Sequence, residues 1–314
     1  MKAIALLSGG LDSSLAIKVI LDQGIEVSAV NFISPFCRCD GKEGCKKKSV
    51  IVAKGLDIDL KIINVSEEYL EIVKNPNHGY GKNMNPCIDC RILMLKKAKE
   101  LMNEAGAGFI ITGEVLGQRP MSQNRKAMDS IEKESGLEGL IVRPLSAKFF
   151  PITIPEKNGW IKSDNLLHIS GRSRKKQYDL VEKYKISGFS CPAGGCLLTD
   201  ADFSLRLKTL IDMDMFNIYN INLLKNGRFF RVSDSMILVV GRNKEENERL
   251  LHLAKDGDLL IEAEARGPAA VGRGKINEED IKEALKIVAR FCKAEEIKLS
   301  YRILPEPSET EVMD

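Results

Sequence analysis

The residues best suited to chemistry in this chain are its cysteines. Eight occur in 314 residues. Three stand in "SPFCRCDGKEGCKK" (Cys37, Cys39, Cys45), two in "NPCIDCRILMLKKAKELM" (Cys87, Cys90) and two in "FSCPAGGCLLTD" (Cys191, Cys196). Thiolates ligate zinc and iron, and they carry and resolve sulfur as persulfides and disulfides. In a compartment that keeps thiols reduced, such grouping points to metal or sulfur chemistry. Cys37, Cys39 and Cys45 could hold zinc with a fourth ligand from elsewhere. His78 is the best placed of the histidines, the others being His168 and His252. A loop of unliganded thiols is the alternative. Cys87 and Cys90 open an amphipathic helix with Ile92, Leu93, Leu95, Ala98 and Leu101 on its apolar side. The helix dipole there stabilises thiolates. Pro192 and two glycines bend the third group into a tight loop, and Cys292 lies in a helical run and reads as core.

A second stretch suited to chemistry is "SGGLDSS" at 8–14. It follows a short apolar strand, "KAIALL", and precedes "SLAIKVILDQG", whose helical spacing ends on Gly24 as a C-cap. Next, "IEVSAVNF" reads as a second strand, completing a βαβ unit. A glycine turn at a helix N-terminus presents N–H groups to an anion. Gly9 and Gly10 let the backbone approach a phosphate, and Ser8, Ser13 and Ser14 add hydroxyl donors. Asp12 would repel that phosphate unless a cation such as Mg²⁺ lies between them.

These residues must be positioned by a larger frame. "KIINV" (61–65), "GFIITGE" (108–114) and "LIVRPL" (140–145) read as further strands of an open parallel sheet with helices between them. The length allows two domains. No apolar run approaches the roughly 20 residues of a membrane-spanning helix. The expectation is therefore a cytoplasmic protein with no membrane partner. A net charge of +3 is too small to argue nucleic-acid binding, which must rest on local clusters such as "GRSRKKQ" (171–177). Its Arg172, Arg174, Lys175 and Lys176 stand at a helix start, where cations oppose the dipole and need another reason, such as an RNA backbone.

The SGGxDS pattern resembles the PP-loop of the ATP pyrophosphatase superfamily, whose members cleave ATP between the α- and β-phosphates. "TGEVLGQRPMSQ" (112–123), "CIDCRILML" and "VRPLSAK" resemble segments of the tRNA-thiolating 4-thiouridine synthetases. The resemblance runs from residue 2 to about residue 150. It implies a PP-loop (adenine nucleotide alpha hydrolase-like) α/β fold, with an open parallel sheet, helices on both faces and a smaller α+β domain following. It implies ATP and Mg²⁺ at Ser8, Gly9, Gly10, Asp12, Ser13, Ser14, Gly113 and Gln118, with Glu114 and Gln123 nearby and Arg143 and Lys148 toward the pyrophosphate. On this reading neither the family's RNA-binding THUMP region, ahead of a PP-loop that begins at residue 8, nor a rhodanese-like sulfur carrier is expected. Cys87, Cys90 and Cys191 are similar to the C-x-x-C and distant C-P of iron–sulfur-dependent thiolases. That similarity implies a [4Fe–4S] cluster presenting sulfide, with Cys196 as the alternative third ligand. A persulfide on Cys191 or Cys196, resolved by the other, is the second route, and structural zinc the third.

The C-terminal half reads as a leucine-rich bridging helix (201–213) and a compact α+β unit closed by a helix (278–294) and the strand "IKLSYRIL". "VGRNKEENERL" resembles the RNA-binding domain of NFACT-type proteins, although Leu260 and Glu262 replace that family's Trp and His. Arg242, Asn243 and Asn247 are carried over as phosphate or RNA contacts. The expected domains are 1–170 (catalytic), 171–213 (cysteine loop and bridging helix), 214–304 (NFACT-like) and 305–314 (disordered tail). Together these readings point to ATP-dependent thiolation of a tRNA uridine, with Asp12, Cys191 and Cys196 as catalytic residues and sulfide or another sulfur donor as co-substrate. A small-molecule synthetase with structural zinc and a non-catalytic RNA-binding protein are the rivals. Monomer and homodimer are both left open.

Overall fold

The computed structural model describes residues 1–37, 45–189, 195–264, 266–293, 297–306 and 309–313. Cys39 and Cys191 lie outside the described residues, as does the side chain of Cys45. The chain divides into two compact units, Met1–Thr199 and Asp200–Asp314.

The first unit runs β1 (Lys2–Leu6), α1 (Leu11–Leu21), β2 (Glu26–Ile33), α2 (Cys45–Gly55), β3 (Leu60–Asn64), α3 (Ser66–Lys74) and α4 (Cys87–Glu104). It continues with β4 (Phe109–Ile111), α5 (Arg125–Glu134), β5 (Ile141–Val142), α6 (Ile154–Lys157) and α7 (Lys175–Tyr184). Its strands form a five-stranded sheet, ordered β3-β2-β1-β4-β5, with every pairing parallel. Alternation along the strands divides the core in two. Ala3, Ala5, Phe109, Ile111 and Val142 face a cluster that includes α1 and α7; Ile4, Leu6, Ile110 and Ile141 face one built on α4 and α5. Helices therefore cover both faces, as expected of a parallel sheet. In α1 eight of eleven residues are buried, and each fully buried Leu or Ile contributes about 1.5–3 kcal/mol. This interior helix holds the glycine loop rigidly.

Two boundaries differ from the sequence reading. Helix α1 is capped by Asp22, and Gly24 instead turns the chain toward β2 with φ +76°. The division at Thr199 leaves Cys196 in the first unit, joined there by a bridge to Cys37.

The second unit runs α8 (Ala201–Asp212), α9 (Ile218–Leu224), β6 (Arg228–Arg231), β7 (Met236–Val240), α10 (Lys244–Leu253), β8 (Leu259–Ala263), β9 (Ala269–Gly274), α11 (Glu278–Ala289), β10 (Ile297–Ile303) and β11 (Glu309–Met313). Its sheet is antiparallel, ordered β11-β10-β8-β9-β7-β6. Helix α11 stops at Ala289, short of the expected residue 294, and Phe291 then packs on Phe230 with ring centroids 5.9 Å apart. The tail expected to be disordered carries β11, paired in register with β10 from Tyr301↔Glu309 to Ile297↔Met313. Its backbone satisfies an open edge of the sheet, a gain that polar composition does not reveal. Among the described residues, no helix is long and apolar enough to cross a membrane.

Candidate nucleotide and cysteine site

The loop between β1 and α1 leaves the carboxyl edge of the parallel sheet, where ligands of open α/β folds bind. Gly9 has φ +73°, and a Cβ there would lie 2.7 Å from the Ser49 backbone nitrogen of α2. The hydroxyls of Ser13 and Ser14 each donate to the Gly10 carbonyl at 2.9 Å, tightening the first turn of α1. Ser8 Oγ lies 3.2 Å from Ser13 Oγ, so Ser8 and Ser13 share the loop mouth. Gly113 has a steric role. A Cβ there would come within 2.5 Å of the Ser13 nitrogen, so the β4 end can meet α1 only at glycine. First-turn N–H groups have no intrahelical acceptors, and this loop presents them at the sheet edge. Beside it, buried Asn31 donates from Nδ2 to the Leu7 carbonyl at 2.7 Å, while its Oδ1 has no hydrogen-bond partner among the described residues.

Asp12 is held from two distant segments. Gln118 Nε2 donates to Asp12 Oδ2 at 2.6 Å, and Gln177 Nε2 donates to Asp12 Oδ1 at 3.4 Å and to Gln118 Oε1 at 3.0 Å. Arg174 Nε sits 4.0 Å from Asp12 Oδ2. Arg174, expected to face RNA, thus turns toward the PP-loop, whereas Arg172, Lys175 and Lys176 are exposed. The expected pyrophosphate role of Arg143 does not match its placement. Arg143 is buried, with Nε 3.2 Å from Glu114 Oε2 and Nη1 2.7 Å from Glu132 Oε2. Glu114 also pairs with Arg91 at 3.0 Å, and these cations hold its carboxyl below the usual range despite burial. Charges inside a core are costly unless paired and hydrogen-bonded in this way. Gln123 is buried and Lys148 exposed.

The cysteines converge on the same edge. Cys87 is the first residue of α4. One turn later, Cys90 is hydrogen-bonded to the buried Tyr69 hydroxyl, whose ring meets Phe36 edge-on at 5.5 Å. Cys196 precedes the turn Leu197–Thr199 and pairs with Cys37 in an antiparallel bridge. The Cys196 thiol feels the charges of Cys90, Cys37 and Cys87. Burial pushes Cys90 up to about 11 and Cys196 up to about 12, and it raises Cys87 too. Among the described residues, no three His, Cys, Asp or Glu side chains are set closely enough to hold a metal ion. Cys37, Cys87, Cys90 and Cys196 are each soft donors, and a thiophilic group binding any of them would replace the thiol proton.

Of the expected zinc ligands Cys37, Cys39, Cys45 and His78, only Cys37 and His78 have side chains among the described residues. Both His78 ring nitrogens lie 2.9 Å from carboxylates, Nδ1 from Asp89 and Nε2 from Glu134. The hydrogen bond to Asp89 is the main cause of a raised His78 pKa. His168 and His252 are exposed.

Sequence reasoning overlooked Arg119. Arg119 is exposed at the mouth of the loop, in the fields of Arg91, Cys87 and Asp12. One guanidinium therefore feels both the PP-loop carboxylate and the first cysteine of C-x-x-C. Its place between Gln118 and the turn "PMS" was a usable signal. Gln177 stood behind a run of cations, and nothing local marked Tyr69.

Comparison with known proteins fits this arrangement. Residues 1–148 match the thiamine biosynthesis protein (ThiI) family model. The ThiI match covers the PP-loop, the C-x-x-C helix and the Gln118 segment. Residues 227–313 match the NFACT protein RNA binding domain, and residues 149–226 lie outside both matches. A probable tRNA sulfurtransferase of Ureaplasma urealyticum is 30% identical over 151 residues, covering 46% of this chain and 36% of the relative. One from Thermococcus kodakarensis is 31% identical over 152 residues, again 46% of this chain and 36% of the relative. The chain thus spans little more than a third of the length of these curated relatives. Among solved structures, a 4-thiouridine synthetase–RNA complex with bound ATP is similar at TM-score 0.39 and 26% identity, over 59% of this chain and 51% of that one.

In the second unit, the segment Gly241–Asn247 has local structural roles. Arg242 forms an ion pair with Glu246, and Asn243 caps α10 by accepting from the Glu246 N–H at 3.0 Å. A Cβ at Gly241 would strike Asn247 Oδ1 at 2.0 Å, and Asn247 Nδ2 donates to the Gly267 carbonyl at 3.2 Å. About half of the Arg242 side chain stays exposed.

Proposed function

We propose that this chain is an ATP-dependent sulfurtransferase that thiolates a uridine of tRNA, forming AMP and pyrophosphate. The observation that carries this reading is the end of β4, where Gly113 packs against the first turn of α1 and Glu114 pairs at 3.0 Å with Arg91, the residue next to Cys90. Nucleotide activation and sulfur delivery are then neighbours at one sheet edge. The tRNA sulfurtransferase relatives, matched over the same segment, support it.

In this account the N-terminus of α1 and the Gly9–Gly10 turn bind the phosphates of ATP, and Asp12 faces their Mg²⁺. Gln118 and Gln177 keep the Asp12 carboxylate oriented. The uridine carbonyl oxygen attacks the α-phosphorus, the bond to the β-phosphate oxygen breaks, and pyrophosphate leaves. Arg174 balances the negative charge beside Asp12. A sulfur nucleophile then adds to the activated carbon, and AMP departs with the former carbonyl oxygen. A [4Fe–4S] cluster held by Cys87, Cys90 and either Cys191 or Cys196 would supply that nucleophile as sulfide; a persulfide on Cys191 or Cys196 is the covalent route. Exposed Arg172, Lys175 and Lys176 contact the RNA backbone, as does Arg242 in the C-terminal unit.

The test is ATP labelled at the α-phosphate, incubated with and without tRNA. Release of AMP and pyrophosphate only with tRNA is the expected result. Release that needs a small carbonyl compound and no RNA would favour a synthetase. RNA binding without ATP cleavage would leave a binding protein.

A further inference from the structure

Cys37 was grouped by sequence with Cys39 and Cys45, yet the fold turns it toward another partner. Its residue is paired antiparallel with Cys196 across 159 positions of chain. The Leu197 N–H donates to the Phe36 carbonyl at 2.9 Å, a bond that flanks the cysteine pair rather than joining it. The groups of the pair itself are engaged elsewhere. The Cys37 N–H donates to the Ser34 carbonyl at 3.3 Å, and the Cys196 carbonyl accepts from the Thr199 N–H at 3.0 Å and hydroxyl at 2.7 Å. Cys37 and Cys196 are therefore a non-hydrogen-bonded antiparallel pair. Such a pair brings Cα atoms to about 4.5 Å with side chains on one face. A disulfide spans Cα separations of about 4.4–6.8 Å.

Cys87 and Cys90 lie in the first turn of α4, and among the described residues neither is paired with Cys196 through the backbone. The bridge is anchored on both sides. Phe36 is buried against Tyr69, and the Asn83 side chain donates to the Thr199 carbonyl at 2.8 Å. Both cysteines are partly accessible, and neither is disulfide-bonded in this structure.

We propose that Cys37 and Cys196 form a reversible dithiol–disulfide pair that governs access of a thiophilic ligand to the cysteine site. The oxidant is a small-molecule disulfide. The Cys37 thiolate attacks it and displaces one thiol. Cys196 then gives up its proton to solvent as it attacks the Cys37 sulfur of the mixed disulfide and displaces the second. Two protein thiols lose two protons and two electrons, and one disulfide becomes two thiols. Oxidation takes Cys196 out of the free thiols available to a thiophilic ligand, and a small dithiol restores it. This inference does not depend on tRNA being the substrate.

The experiment equilibrates the full chain, free of metal, with mixtures of reduced and oxidised glutathione, blocks the remaining thiols and maps linked peptides by mass spectrometry. The expected product is a Cys37–Cys196 linkage that persists in Cys191→Ser and is lost in Cys37→Ser. Cobalt(II) added as a probe should give thiolate-to-metal absorption in the reduced chain, and at least fivefold less in the oxidised one. A Cys191–Cys196 or Cys87–Cys90 linkage with Cys37 still free would overturn the proposal. So would mixed glutathione disulfides alone, or cobalt absorption equal in both states. Because mapping uses the wild-type chain, a variant that fails to fold does not obscure the result.

Discussion

Gln118 Nε2 donates to Asp12 Oδ2 at 2.6 Å, joining two segments 106 positions apart in the chain. Gln177, fully buried on α7, reaches both residues. The PP-loop carboxylate is thus held by side chains from outside its own βαβ unit. A hydrogen bond to a charged group contributes about 1.5–3 kcal/mol. Gln118→Leu and Gln177→Leu should each lower ATP-dependent turnover by about 10–100-fold, with the far-ultraviolet dichroism of the wild type. Steady-state kinetics check this, and unchanged kcat and KM for ATP in both variants would refute it.

Arg143 is placed to support the fold. It lies between Glu114 and Glu132 with its guanidinium 5.0 Å above the Phe150 ring centre. Removing one partner of a buried ion network typically destabilises by about 3–5 kcal/mol. Arg143→Met should lower the urea midpoint by that measure and leave the KM for ATP within about twofold of wild type. A stable variant with a sharply raised KM would assign Arg143 to the phosphates instead.

The clamp of His78 between Asp89 on α4 and Glu134 on α5 sets a pH dependence. These hydrogen bonds raise the His78 pKa above 6.5. The folded state therefore holds the proton more tightly than the unfolded chain. Its stabilising contribution is fully present below pH 6.5, the unfolded value, and is lost as pH rises through the raised folded value. Urea titrations of wild type and His78→Gln should differ most near pH 5.5 and converge toward pH 9. A gap that is constant across this range would mean that the proton plays no part.

The sheet and the PP-loop were legible because their signals are local: alternation in "KAIALL", glycines at a strand end, apolar spacing after them. The C-x-x-C helix was legible for the same reason. What escaped depends on contacts between distant segments. Nothing near Cys37 says that its strand end meets Cys196, so grouping it with Cys39 and Cys45 was the natural reading. Arg143 and Glu114 read as groups facing the nucleotide because a sequence shows charge but not its burial. Arg174 read as an RNA contact until α7 packed beside α1. In the tail, polar composition hid a strand whose reward is the open edge of β10.

The most direct test of the account is nucleoside analysis. Unmodified tRNA would be incubated anaerobically with ATP, Mg²⁺, sulfide and the iron–sulfur-reconstituted chain, then digested and resolved by liquid chromatography and mass spectrometry. The account predicts a thiolated uridine that requires ATP and disappears in Asp12→Asn. Unmodified uridine throughout, from a chain that binds ATP and tRNA and carries a reconstituted cluster, would contradict it.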